Sequence, residues 1–222
     1  MPMSSPARPV LLLTRPRADS RRFAAMLPEW RAVISPILRI VGVDHDGVAL
    51  RDAPGLVFTS AHAVAAAGPG QGRLAICVGG HTAQVARAAG FAVRTGTGSA
   101  EGLLPLIRDA GVPLIHPHGR HLARELPVPG VVVYDQQPVP LTRDAQALLA
   151  GDAPVVLPLF SPRSARLAAD AARGARAALW PVAISEAARA AWDAPAAGHA
   201  VAGRPDAAAM VAAIRNLPVA EQ

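Results

Sequence analysis

The sequence predicts an α/β fold built on parallel sheets. Three observations predict it. Short runs rich in Val, Ile and Leu recur along all 222 residues. Ala-rich segments of helical length lie between most of them. Several runs end on a small hydroxyl residue where a helix would begin. Strands that alternate with helices form parallel sheets whose helices cover both faces.

Taken in order, the strand runs are VLLLT (10–14), AVISPI (32–37), LVFT (56–59), LAICV (74–78), FAVR (91–94), PLIH (113–116), VVVY (131–134), VVLPLF (155–160), ALWPVAI (178–184) and HAVA (199–202). AHAVAAA, TAQVARAAG and SEAARAAW are the clearest helical segments. Ten strands are many for one sheet in a chain of this length. Two five-stranded sheets, each a doubly wound flavodoxin-like unit, fit better. ISPILRIVGVD (34–44) and YDQQPVPL (134–141) lack helix grammar, and Pro36, Pro138 and Pro140 favour extended chain there. The segment between them holds five strands and the flanks hold the other five. The count suggests a first domain of residues 1–38 plus 139–222, with a second domain, 39–138, inserted into it.

Composition narrows the function. Hydrophobic residues make up 51% of the chain, so a packed core is available. No apolar stretch reaches the length of a membrane span, and MPMSSPARPVLLLTRPR lacks the layout of a secretory signal. Cys77 is the single cysteine, which allows no internal disulfide and no cysteine-based metal cluster. A cytoplasmic protein is expected. The net charge is +6, and every basic residue is arginine. The arginines are scattered and aromatics are only 4%, unlike the basic stripe of a nucleic-acid binder. Diffuse positive charge favours a small anionic ligand.

The hydroxyl residues carry the next step. Ser60 and Ser161 sit where a strand ends and a helix begins, and each is expected to cap that helix. Pro162 suits the first helical position. Ser185 repeats the pattern, with Glu186 in the first turn. Thr14, followed by Arg15 and Pro16, is read as a further cap, as are Thr82 and Ser99. In open α/β sheets ligands bind at the carboxyl ends of the strands, where helix N-termini attract anions. A set of such edges is expected to hold an acidic ligand.

At this point the chain resembles the uroporphyrinogen-III synthase family over nearly its full length. VLLLTRPRADS looks like that family's opening strand and Arg-Pro turn, and LVFTSAHAV like its Thr-Ser motif, which brings in Thr59 beside Ser60. ICVGGHTAQVARAAGF resembles the Val-Gly-x-x-Thr-Ala segment, with Gly79 and Thr82. TGTGSAEGLL, VVVYDQQPV, PLFSPRSA, VAISEAARAA and VAGRPDAAAMVAAI are similar to the units that follow. HGRHLAREL matches only if one residue is inserted; Gly119 and Arg124 are carried over on that basis.

The resemblance implies two flavodoxin-like domains joined by a two-stranded β-ladder, the first domain discontinuous. It implies the cyclisation of hydroxymethylbilane to uroporphyrinogen III, with loss of water and inversion of the last pyrrole ring, by a hydro-lyase without cofactor or metal. It implies a monomer that binds a polycarboxylate tetrapyrrole, with possible hand-over from hydroxymethylbilane synthase. Tyr134, the only tyrosine, ends a strand beside the proposed ladder, and its phenol is the candidate donor to the departing hydroxyl. Thr14, Arg15, Thr59, Ser60, Gly79, Thr82, Ser99, Gly119, Ser161 and Ser185 are the candidate substrate-binding residues. Where many relatives have a hydroxyl just inside a helix, this chain reads Ser185-Glu186-Ala187-Ala188, so only Ser185 can serve.

Other readings compete. His116, His118 and His121 stand close enough in sequence to ligate a metal, but no acidic or cysteine partner is placed with them. TGTGSAEG has Gly-x-Gly but the wrong spacing and place for a dinucleotide fingerprint. A two-domain binding protein for a small anionic ligand, without turnover, is the alternative.

Overall fold

The computed structural model describes residues 8–122 and 124–221. The chain divides into two compact units. One runs to Arg39 and resumes at Pro138; the other is Ile40–Gln137.

The first unit opens with β1 (Val10–Leu13), α1 (Arg17–Ala24) and β2 (Ala32–Ile34). β3 (Leu38–Gly42) leads into the second unit, with α2 (Gly47–Asp52), β4 (Gly55–Phe58), a 3-10 helix (Ala61–Ala67), β5 (Leu74–Cys77), α3 (Gly80–Ala88) and β6 (Ala92–Thr95). A 3-10 turn (Glu101–Leu103), α4 (Leu104–Arg108), β7 (Leu114–Gly119) and β8 (Gly130–Pro138) follow. The chain then completes the first unit with α5 (Arg143–Leu149), β9 (Val155–Leu159), α6 (Pro162–Ala172), β10 (Leu179–Ala183), α7 (Glu186–Ala190), β11 (Ala200–Val201), α8 (Ala207–Arg215) and a last 3-10 turn (Pro218–Glu221).

All ten apolar runs read from the sequence contain a strand. They fall into a five-stranded sheet, β11-β10-β9-β1-β2, and a six-stranded sheet, β3-β8-β7-β4-β5-β6. β1 with β2, β4 with β5 and β7 with β8 pair in parallel. The second sheet has one more strand than the expected five, because β3 pairs along β8. Val43 N donates to Val133 O at 3.1 Å, and Val139 N donates to Ile37 O at 3.0 Å. Residue numbers rise on one strand as they fall on the other, so this ladder is antiparallel. Both boundaries between the units fall within β3 and β8.

Strand periodicity sorts the core. Leu12 packs on one face of the first sheet with Leu157 and Leu159, while Leu11, Leu13 and Val156 pack on the other. In the second sheet Leu56 and Phe58 face one way and Val57 the other. Both faces of both sheets are covered, which is why the strands read as unbroken apolar runs.

In each sheet the backbone ladder is short at the point where chain order reverses. Between β1 and β9 the ladder pairs Val10 with Val155 and Leu11 with Val156 and goes no further. Val155 N donates toward β10, to Ala178 O, so Val156 and Pro158 turn their backbone groups toward β1, where Pro158 has no N–H to give. The second sheet repeats this. β4 and β7 pair only at Gly55–Leu114 and Leu56–Ile115. His116 N donates to Pro129 O beside β8, so Pro117 faces β4 without a donor. A proline two residues past the last pair thus ends the backbone ladder in both sheets before the strands end.

Candidate functional site

Ligands of open parallel sheets bind where chain order reverses, at the carboxyl ends of the strands. In the first unit that position lies between Thr14 and Arg15, which follow β1, and Phe160 and Ser161, which follow β9. The Arg15 guanidinium lies 4.3 Å from the Phe160 ring centroid and 3.3 Å from Asp19 Oδ2. Burial lowers the Arg15 pKa from its ordinary value, the Asp19 carboxylate opposes that shift, and Arg22 adds to it. The side chain is therefore stacked and aimed before any ligand arrives. Ser161 caps α6, its Oγ accepting from Ser164 N at 3.1 Å, and Pro162 is the first helical residue as expected. Ser185 caps α7, accepting from Ala188 N at 3.3 Å, with Glu186 in the first turn.

Thr14 is not a cap. Pro16 occupies the N-cap position of α1, which has no side-chain cap. Thr14 is instead buried, and its carbonyl accepts from Ile37 N at 3.0 Å, extending the pairing beyond β1.

The equivalent position in the second unit lies between Thr59 and Ser60, after β4, and His116–Gly119 on β7. Ser60 caps the 3-10 helix, accepting from His62 N at 3.3 Å. Ala61–Ala67 winds as a 3-10 helix, not the α-helix its Ala content suggests. Thr59 Oγ1 lies 2.9 Å from His116 Nε2. His116 is 2% exposed; burial, helped by neighbouring His118, pushes its pKa down to about 4, so the ring is neutral at ordinary pH.

The rings of His118 and Tyr134 lie over glycines on the neighbouring strand. A β-carbon at Gly119 would stand 2.5 Å from Tyr134 Cε2, and one at Gly130 would stand 2.6 Å from His118 Nε2. Register shifts between His118 and Gly119, the bulge that brings Gly119 opposite Tyr134. The Tyr134 ring also meets His62 edge-on, with centroids 6.0 Å apart. Tyr134 is nearly buried at 6% exposure.

Thr82 is a second correction. α3 begins at Gly80 with Gly79 as its N-cap, so Thr82 lies inside the first turn and is buried. Gly79 has extended backbone, and a β-carbon there would meet only Gly98 Cα, at 3.7 Å. Ser99 accepts from Gly102 N at 3.3 Å, at the head of the 3-10 turn. Arg124 pairs with Glu101.

His116 and His118 lie side by side, but the three histidines are bonded to different partners. His116 is held by Thr59, His118 Nδ1 donates to Gly119 O at 2.8 Å, and His121 lies 3.7 Å from Asp135. Among the described residues no group of His, Cys, Asp or Glu is arranged to hold a metal ion. Thr59–His116 and the Gly119 bed of Tyr134 are contacts that reading along the chain missed. The one signal was a polar histidine ending the apolar run PLIH.

The profile of the family described as Uroporphyrinogen-III synthase HemD matches residues 29–212. No curated protein matches the chain. Among solved structures, uroporphyrinogen-III synthetase from Helicobacter pylori is similar in fold, with a TM-score of 0.59 and 13% identity, over 91% of this chain and 96% of that one. A mutant uroporphyrinogen III synthase from the extremely thermophilic bacterium Thermus thermophilus aligns with a TM-score of 0.49 and 16% identity, over 93% of this chain and 98% of that one. With the family's profile spanning both compact units, the chain belongs to the uroporphyrinogen-III synthase family.

Proposed function

We propose that the protein is a uroporphyrinogen-III synthase, a hydro-lyase that closes hydroxymethylbilane to uroporphyrinogen III. The family match over residues 29–212 carries this reading. In the reaction the terminal C–O bond breaks, the electron-rich pyrrole supplies the electrons, and the hydroxyl leaves as water once it gains a proton. Little chemical force is needed. The harder task is to hold a flexible polycarboxylate chain so that the wrong carbon does not close the ring, which is catalysis by positioning.

The residues suit that task. Tyr134 is the donor to the departing hydroxyl. A phenol O–H can donate a hydrogen bond, and the Gly119 bed limits where the ring can go. Arg15 and the first-turn amides at Ser60, Ser161 and Ser185 hold acetate and propionate groups, with Thr14, Thr59, Gly79, Thr82, Ser99 and Gly119 shaping the same edges. On this reading each compact unit is a doubly wound domain: 1–38 with 139–222, and 39–138. Numbered within its unit, the first sheet runs 2-1-3-4-5, the flavodoxin-like order. The parallel strands of the second run 3-2-1-4-5, the other doubly wound order. Further parts of the proposal are a cytoplasmic monomer that receives its substrate from hydroxymethylbilane synthase. No helix among the described residues is long and apolar enough to cross a membrane.

The test is a product assay. Freshly made hydroxymethylbilane is supplied, the products are oxidised, and type I and type III uroporphyrins are separated. Type III above the uncatalysed background is expected. Type I alone, at the spontaneous rate, from folded protein would overturn the proposal. Tyr134→Phe is expected to lower turnover while leaving the fold intact; full activity would remove Tyr134 from the mechanism.

A further inference from the structure

We propose that His116 is a positioning residue for Thr59: its Nε2–H donates to the Thr59 hydroxyl and frees that hydroxyl's own proton to meet a carboxylate of the substrate. The inference rests on the functional reading above, in which Thr59 touches the substrate.

The geometry leads there in steps. The β4–β7 ladder stops at Leu56–Ile115, and Pro117 gives nothing back to β4. Thr59 and His116 stand beyond the last backbone pair, and their side chains link the two strands there at 2.9 Å. The bridge takes the place of backbone bonds that the proline forgoes. It is made by a side chain that is almost wholly buried.

A neutral imidazole carries one N–H. Among the described residues, nothing hydrogen-bonds to His116 Nδ1. Nδ1 is not sealed among partnerless buried atoms, so water can meet its lone pair. The proton is accordingly placed on Nε2, facing Thr59 Oγ1, the tautomer in which Thr59 keeps its own proton for an anion. His118 is already committed, its Nδ1–H directed to Gly119 O, and its ring lies 4.8 Å from that of His116 at a tilt of 39°.

The consequence is chemical. An ionised carboxylate only accepts hydrogen bonds. A threonine whose O–H pointed at His116 would offer a carboxylate lone pairs and repel it. With His116 as donor, Thr59 accepts from the protein and donates to the ligand. Polarity is set by one ring nitrogen, at an edge where the ligand is expected to be anionic.

Two measurements test this. The first is nitrogen NMR on histidine-labelled wild-type protein, which reads which ring nitrogen of His116 carries the proton. Protonation at Nε2 is expected; protonation at Nδ1 overturns the proposal, whatever the activity.

The second is kinetic, with hydroxymethylbilane. His116→Phe keeps the ring bulk and removes the donor; KM should rise about fivefold with kcat within about twofold of wild type. His116→Gln, which keeps a donor, should recover most of that loss. In a Thr59→Val background, His116→Phe should add nothing. An equal loss in both backgrounds, or a fall in kcat at unchanged KM, overturns the positioning role. A wild type that makes no type III product overturns the functional reading instead, and the NMR result still decides the tautomer.

Discussion

Arg73 offers a prediction that depends on the fold and on no functional assumption. It stands immediately before β5, at the amino end of the second sheet. Its guanidinium donates to five backbone carbonyls: Leu50 at 2.8 Å, Ala53 at 3.2 Å, Ala67 and Pro69 at 3.0 Å, and Gly70 at 3.2 Å. Leu50 and Ala53 belong to the end of α2, and Ala67 ends the 3-10 helix after β4. One cation thus satisfies the orphan carbonyls of two helical ends and stacks 5.2 Å from Phe91. Arg73→Met removes all five bonds. Because Arg73 is only half-buried, water recovers most of each, leaving about 0.5 kcal/mol per bond, the low end of the net range for an ordinary hydrogen bond. The expected loss over the five is about 3 kcal/mol, or about 10 °C in Tm. Arg73→Lys keeps the charge but has three donors in place of the fork, and should lose about half as much. Urea unfolding and calorimetry read both. A change below about 0.5 kcal/mol in Arg73→Met, the scale of an ordinary surface substitution, would refute the clamp. So would a lysine variant as stable as wild type. Turnover per folded molecule should not change, because the carboxyl ends of the strands are not involved.

Three further outcomes are expected. Gly119→Ala places a methyl where the Tyr134 ring lies, so kcat should fall at least about tenfold with little change in circular dichroism; unaltered kcat would separate that ring position from the chemistry. His116 titrates at about 4 when folded, against an ordinary 6.5, so between those values the unfolded chain binds a proton that the folded chain refuses. Stability present above pH 6.5 is therefore lost as pH falls toward 4, by about 3 kcal/mol, and His116→Phe should show a shallower decline over that window in pH-dependent urea melts. Burial pushes the Cys77 thiol up to about 11, so a thiol reagent at pH 8 should label it only when the protein unfolds; fast labelling of native protein would contradict its placement.

What the sequence revealed, and what it hid, follows from distance along the chain. Buried parallel strands advertise themselves as runs such as VLLL and LVF, because both faces are covered. Ser161 and Ser185 were legible as caps because the cap, the proline or acidic residue after it, and the helix are contiguous. Thr82 misled because the helix starts two residues earlier, at a Gly pair that reads as a turn. Thr14 misled because Pro16 displaced it from the cap. β3 was legible as extended chain but not as a sheet strand, since its partner β8 lies about a hundred residues away. His116 and Thr59 are 57 residues apart, and the Arg73 clamp gathers carbonyls from as far as 23 residues away. No local pattern announces such contacts.

The ladder has a consequence for how the chain can be rewritten. Ile37 O and Val139 N, both in the first unit, already make the hydrogen bond that closes a β-turn. An Asn-Gly pair spliced between them, in place of residues 38–138, would supply the tight hairpin that such a bond requires. The intervening segment enters and leaves through adjacent strands, as a cassette does. It can be lifted out, or exchanged for another module with neighbouring ends, while the five strands of the outer sheet keep their connections.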